Sequence, residues 1–248
     1  MSRKVKNMRV LSEQPNKKSY QDGNLRLKVF GASFKKSDIL NEALNQARVE
    51  ETGLQIPKLL EVKQIDGQWT IVTEFIEGET LESLMAAHPE KMTEYLEQFV
   101  ALQSEILSKR APLLNRLKDK MNRKIRESGL DATTRYELHM RLNGMREHEK
   151  ICHGDFNPSN VIVTPDGDWY VIDWSHVTQG NASADAARTY LLFCLNGKED
   201  VAEQYLQIFC EKQYVRSWMP IVAASQLGKG NESEREFLLR WANVVQYE

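Results

Sequence analysis

Residues 151–163 read ICHGDFNPSNVIV, and Val171-Ile172-Asp173-Trp174 follows shortly after. Together they place His153, Asp155, Asn160 and Asp173 within twenty-one residues. Val161-Ile162-Val163 and Tyr170-Val171-Ile172 are rich in β-formers and flank the turn Pro165-Asp166-Gly167-Asp168, which predicts a hairpin. Asp155 and Asn160 share the loop entering that hairpin, and Asp173 ends its second strand. Phosphoryl transfer needs these three groups: a carboxylate to receive a hydroxyl proton, and an amide oxygen and second carboxylate to hold Mg²⁺ on nucleotide phosphates. The plainer alternative is a polar loop with an Asx-turn at Asp155 and a helix cap at Asn160. It leaves Asp173, at the far end of the hairpin, without a reason.

Outward from this stretch the chain divides by pattern. Met8–Leu11, Ser19–Gln21 and Leu25–Phe30 predict a small antiparallel sheet, the last segment alternating apolar and basic residues. Ser37-Asp38 predicts the cap of a helix that reaches Thr52 and ends at Gly53, with Ile39, Leu40, Ala43, Leu44 and Ala47 as its apolar face. Two further strands, Pro57–Val62 and Trp69–Phe75, turn at Asp66-Gly67, and Glu77-Gly78-Glu79-Thr80 reads as a hinge. Helices are then expected at about 81–106 (stripe Met92, Tyr95, Leu96, Phe99, Leu102, Ile106), 111–126 and 133–149. After the hairpin they are expected at about 184–195, 199–210, 215–225 and 233–244. A doubly wound nucleotide fold would need alternating strands and helices and a glycine-rich phosphate loop, and has neither here.

The motif residues resemble those of the aminoglycoside phosphotransferase and choline kinase family, in which HGDxxxxN and an I-D-[WF] segment occupy these positions. The resemblance implies an α+β, bilobal, protein-kinase-like fold. Residues 1–77 would form a small antiparallel-sheet N-lobe with one helix, and 78–248 a larger, mainly helical C-lobe. It implies Asp155 as catalytic base, Asn160 and Asp173 as Mg²⁺ ligands and His153 as structural support. Gly180–Arg188 resembles the family's G-x-P-x-x-D-L-A stretch, so Asp185 would brace the catalytic loop from a helix start; the usual proline is Ala182 or Ser183. On the nucleotide side, Lys28 would contact the α- and β-phosphates and pair with a helix glutamate, Glu42 in preference to Glu50 or Glu51. Backbone groups of Glu74-Phe75-Ile76 would read the base of ATP or GTP. One departure stands out. Ser12–Ser19, where the family pattern has a glycine-rich turn, contains no glycine; Asn16 could take a left-handed turn and Lys17 and Lys18 could supply charge.

The expected acceptor is a hydroxyl on a small molecule. Trp174, His176, Trp218 and Trp241 are candidates to line its site, Trp174 first because it lies nearest the motif; an indole can hold a cationic group. Two enzymatic or near-enzymatic alternatives remain, a kinase of protein side chains and a pseudokinase that binds nucleotide without turnover. The short Asp173–Asp185 interval speaks against the first, and the glycine-free turn is the argument for the second.

The bulk properties fit a globular protein. The chain has 248 residues, 41% hydrophobic and 27% charged, with a net charge of −2, so composition does not call for a nucleic-acid partner. Charge is uneven: twelve Lys and Arg face six Asp and Glu over 106–150, and seven face thirteen over 151–248. The basic helix around Lys118, Lys120, Arg123, Lys124 and Arg126 could serve an acidic substrate, a nucleic acid or a partner protein, or be a solvated face. Cys152, Cys194 and Cys210 have no metal-type spacing and no even pairing. No apolar run is long enough to span a membrane, and Met1–Lys6 has no apolar segment behind it, so a cytoplasmic location is expected.

Overall fold

The computed structural model describes residues 8–209, 212–228 and 232–243. The expectations at Met1–Lys6, Cys210 and Val244 lie outside the described residues. By packing, the chain forms two units, Met1–Leu84 with Ser159–His176 and Met85–Pro158 with Val177–Glu248. This division differs from the 77/78 boundary read from the sequence, because the hairpin after Asn160 packs with the first unit.

In the first unit, β1 (Arg9–Gln14), β2 (Lys17–Asp22), β3 (Leu25–Phe30), β4 (Leu59–Ile65) and β5 (Gln68–Glu74) form an antiparallel sheet of order β1-β2-β3-β5-β4. Asp66 and Gly67 both have positive φ (49° and 79°), the backbone required by a tight two-residue hairpin turn. The turn at Pro15-Asn16 is different. Asn16 is not left-handed; its carbonyl is held by the Gly31 N–H at 2.8 Å. Helix α1 (Lys36–Glu50) buries Ile39, Ala43 and Val49, and Ile39 and Ala43 pack with Phe30 and Ile71. The expected face was too wide. Leu40 and Leu44 are 41% and 46% exposed, because Ile39, Ala43 and Gln46 take the positions facing the sheet. The N-cap is Lys35 rather than Ser37; Asp38 lies in the first turn, where its charge suits the helix dipole.

The segment read as a hinge is partly strand. β6 (Glu79–Thr80) pairs with β8 (Val161–Val163), and β8 with β9 (Trp169–Val171), giving the expected hairpin a third strand. Gly78 permits the approach: a Cβ there would lie 2.3 Å from the Val163 carbonyl oxygen. Helix α2 (Leu81–Ala87) follows.

The second unit is helical around a two-stranded ribbon. Helix α3 (Met92–Ser108) buries Leu96, Phe99, Val100, Gln103, Ile106 and Leu107. Then come α4 (Leu117–Arg126), α5 (Ala132–Gly144), β7 (Lys150–Cys152), β10 (Thr178–Gly180), α6 (Ala182–Leu195), α7 (Glu199–Ile208), α8 (Lys212–Gln226) and α9 (Glu232–Ala242). β10 pairs antiparallel with β7, Thr178 opposite Cys152 and Gly180 opposite Lys150. Two expected helices are shorter than their apolar patterns. Residues 111–116 are irregular because Pro112 lies there and the Gln179 amide takes the Pro112 and Leu114 carbonyls (2.7 and 2.6 Å). Residues 145–149 are irregular beyond Gly144, the Arg146 carbonyl being taken by the Asn181 amide at 3.0 Å. Phe99 stacks on Phe156 (4.3 Å between ring centres), and Phe193 and Tyr205 close around Phe99 edge-on, forming the apolar floor beneath the Asp155 loop.

Candidate active site

The first unit brings Lys28, Glu42 and Asp173 together. Lys28 is on the central strand β3, between Ser19 of β2 and Ile71 of β5. Its side chain is 9% exposed, and its ammonium is bonded to Glu42 of α1 and lies 3.1 Å from Asp173 Oδ1. Glu50, the alternative partner, instead accepts the Leu59 N–H at 2.5 Å. Lys17 approaches the other Asp173 oxygen at 4.0 Å, while Lys18 pairs with Glu13. Asp173 leaves β9 with φ +62°, a left-handed backbone that non-glycine residues adopt at a cost, so its position is imposed by its surroundings.

The electrostatics of this cluster are mutually supporting. Burial alone favours protonation of Asp173, but Lys28 and Lys17 override it and hold the carboxyl well below the usual carboxylate range. Burial works against the charge on Lys28, yet Asp173 and Glu42 raise its pKa above that of an ordinary lysine. Lys17 is lowered, by burial and then by the nearby Lys28.

Asn160 ends a 3₁₀ turn, Pro158–Asn160, and its carbonyl accepts the Ile172 N–H at 2.9 Å, tying it to the backbone next to Asp173. Mg²⁺ takes hard oxygen ligands and keeps waters and phosphate oxygens, so it needs only one or two protein donors. An ionised Asp173 already facing two ammonium groups, with the Asn160 amide, fits that requirement. Among the described residues no three His, Cys, Asp or Glu converge as an all-protein metal cage.

The second unit organises Asp155. Gly154 (φ +80°) turns the loop, and its N–H donates to Asp185 Oδ1 at 2.7 Å. The other Asp185 oxygen accepts from Gln103 at 3.2 Å, and Gln103 in turn accepts the Tyr205 hydroxyl at 2.6 Å. Burial pushes the Asp185 carboxyl up, against the pull of the Gly154 N–H and of His153. His153 is fully buried, and its Nδ1 accepts the Asp155 N–H at 3.2 Å. Thr189 donates to the Phe156 carbonyl at 2.9 Å. Asp155 Oδ1 lies 3.3 Å from a guanidinium nitrogen of Arg188, a half-buried cation three residues after Asp185 on α6.

Arg188 was the residue without a sequence-based role. Its signal was available: it is the only cation in an otherwise small and apolar helix, and such a cation is buried only when paired. Gln103, a neutral residue within the α3 stripe, carries no such signal. Cys152 is buried, donates to the Asn181 carbonyl at 3.4 Å, and burial lifts its thiol well above the usual value, so it is not built as a nucleophile.

Glu74 and Ile76 are placed at and beyond the end of β5. The Glu74 and Phe75 N–H groups donate to the Lys58 and Asn24 carbonyls (3.0 and 2.9 Å), and the Glu74 carboxylate accepts the Lys58 N–H at 3.1 Å. The substrate role expected for Trp174 does not fit its placement. The indole is 1% exposed, its N–H donates to the Val171 carbonyl at 3.0 Å, and the cavity it lines beside Lys28 and Asp173 is about 30 Å³, room for one water.

The chain matches the model of the phosphotransferase enzyme family (APH) over residues 19–221. No curated protein matches it by sequence. Among solved structures it resembles a thermostable mutant of aminoglycoside phosphotransferase APH(4)-Ia in ternary complex with AMP-PNP and hygromycin B. The TM-score is 0.70 at 18% identity, over 95% of this chain and 91% of that one. It also resembles a choline/ethanolamine kinase family protein from Mesorhizobium loti (TM-score 0.64, 15% identity, 95% and 86% covered) and choline kinase LicA from Streptococcus pneumoniae (0.62, 16%, 94% and 93%). At such identities the likeness establishes the fold, an α+β kinase-like one as the motif implied. With the family model covering most of its length, the chain belongs to the phosphotransferase enzyme family.

Proposed function

We propose that this protein transfers the γ-phosphoryl group of ATP or GTP to a hydroxyl of a small molecule. The observation that carries the reading is the buried Lys28 ammonium shared between Glu42 and Asp173. A lysine costs free energy to bury, and its fixation by Glu42 and by the motif aspartate Asp173 supports a phosphate grip rather than a solvated strand lysine. In this reading Lys28 steadies the α- and β-phosphates, and Glu42 holds Lys28 in place. Glu74 and Ile76 offer backbone groups to the base. Asn160 and Asp173 hold Mg²⁺, which when bound offsets charge on the phosphate oxygens.

Asp155 accepts the proton of the attacking hydroxyl, and Arg188 fixes the orientation of its carboxylate. His153 and Asp185 keep the loop in shape. Little covalent chemistry falls to the protein, so positioning and electrostatics supply the rate. The first unit, which carries Lys28, Glu42, Asn160 and Asp173, would serve the nucleotide, and the second, which carries Asp155, would serve the acceptor. A small-molecule acceptor is favoured over a protein because the interval from Asp173 to Asp185 is taken up by a 3₁₀ turn (Trp174–His176), β10 and the start of α6, with no long activation segment. AMP-PNP and hygromycin B in the APH(4)-Ia complex support a nucleotide donor and a hydroxyl-bearing acceptor.

One observation favours a nucleotide-binding protein without turnover: the Pro15-Asn16 turn has no glycine to bring N–H groups onto the phosphates. Thermal unfolding with ATP, GTP or neither, with and without Mg²⁺, separates the readings when joined to a phosphate-transfer screen over small alcohols. A nucleotide at 100 times its Kd adds about 2.7 kcal/mol of stability. A Mg²⁺-dependent rise in Tm with transfer to an alcohol is the expected result. A rise without transfer to any acceptor favours the pseudokinase, and no rise with either nucleotide overturns both.

A further inference from the structure

The second unit contains a cavity of about 530 Å³ to which neither the motif nor the proposed mechanism gives a role. It lies at the end of the β7–β10 ribbon where Lys150 faces Gly180, whereas Asp155 follows the opposite end of β7. Five cations line it, Arg110, Arg116, Lys118, Arg146 and Lys150, against two acids, Glu147 and Glu149. These are five of the twelve Lys and Arg of residues 106–150.

The walls are built rather than incidental. The Gln179 amide, buried, pins the Pro112 and Leu114 carbonyls, and its N–H donates to Asn115 at 2.9 Å, which fixes the stretch leading to Arg116. Asn181 pins the Arg146 carbonyl at 3.0 Å, and the Ile151 N–H donates to Lys109 at 3.1 Å, beside the bridge between Arg110 and Lys150. The floor is apolar: Leu117 and the buried Trp218 line it, and a Cβ on Gly180 would stand 2.5 Å from Leu117 Cβ, so only glycine lets that floor form.

We propose that this cavity binds a phosphate ester of a small organic molecule, the phosphate held by the Arg116 and Arg146 guanidinium groups and the organic part resting on Leu117 and Trp218. Guanidinium groups bind phosphate oxygens through paired, charge-assisted hydrogen bonds. The volume is that of a small-molecule site.

Isothermal titration of the full chain with phenyl phosphate, inorganic phosphate and phenol tests it. Saturable binding of phenyl phosphate is expected, with weaker binding of inorganic phosphate and none of phenol. Arg116→Ala with Arg146→Ala should weaken binding by about ten-fold or more, and Arg116→Lys by less. Both arginines are exposed and outside the catalytic set, so an unchanged Tm shows that the variants fold. Absence of saturable phenyl phosphate binding overturns the proposal. So does binding that the double variant leaves unchanged. Steeply salt-dependent binding of single-stranded RNA without binding of either phosphate overturns it too, in favour of a nucleic-acid surface.

Discussion

Asp173 and Asp185 are the same residue in opposite situations. Asp173, in the first unit, faces two ammonium groups and is held ionised far into acid. Asp185, in the second, is bonded to a backbone N–H and a glutamine amide, and burial pushes its carboxyl up. A carboxylate whose partners are ammonium groups stays charged and can take a further cation. One whose partners are neutral, buried groups is fixed in place and serves the loop it holds. Proximity to the motif does not distinguish these roles; the identity of the partner does.

The largest expected effect is on neither of them. Asp155→Ala should reduce phosphoryl transfer by about 10²–10⁴-fold, the range for loss of a general base, with nucleotide affinity retained. Steady-state kinetics beside a nucleotide titration checks this, and unchanged turnover removes Asp155 from the reaction. Asp173→Ala should do the reverse, weakening Mg²⁺-nucleotide binding first. If both variants show the same pattern, the distinction between a cation-binding and a fixed carboxylate fails.

Asp185→Ala strips the Gly154 N–H of its acceptor. Since the ionised carboxyl is itself costly to bury, the net loss is about 2 kcal/mol, a fall of roughly 4–8 °C in Tm. A fall no larger than that of an exposed Asp→Ala change would show that the loop holds itself.

The two aspartates should also differ in sign against pH. The depressed Asp173 contributes stability that is present above the unfolded value, about 3.9, and lost as pH falls through its folded value. Asp173→Asn should therefore flatten the acid limb of the stability curve. The raised Asp185 binds its proton more tightly when folded, so it lowers stability as pH rises from about 3.9 through its folded value. Asp185→Asn should then gain on the wild type as pH rises through that window. Chemical denaturation at several pH values reads both slopes, and slopes of the same sign would break the comparison. The smallest effect is expected at Arg188→Lys, a few-fold loss of turnover with the ion pair kept, against a larger loss and an altered pH–rate profile for Arg188→Met.

Much of this was legible in the sequence because the information is local. The hairpin of residues 161–171 and the Asp66-Gly67 turn each depend on a few adjacent residues, and the helix before Gly53 was legible although it ends at Glu50, two residues short of the expected Thr52. Lys28, Glu42 and Asp173 were singled out through their strand, helix and motif positions, and the fold brings them together. What escaped depends on partners distant in the chain. Leu40 and Leu44 read as core until the sheet selects a narrower face of α1. Residues 111–116 read as helix until Gln179, more than sixty positions later, takes their carbonyls. Gln103 has no local signature, and the lone cation Arg188 in an apolar helix signals burial without naming its partner, because such a side chain is explained only by what it bonds across the fold.

Gly78 carries a consequence of a different kind. Its φ is not among the positive values, so no turn geometry demands glycine. The demand comes from Val163, 85 positions later, whose carbonyl occupies the space any side chain would need. In a saturation mutagenesis library selected for soluble protein, this position should tolerate no replacement. Its neighbours Glu77 and Glu79 should accept many. The resulting single-letter gap in the tolerance profile would report a strand contact that no covariation between side chains could reveal, since one partner is a backbone oxygen and the other has no side chain to vary.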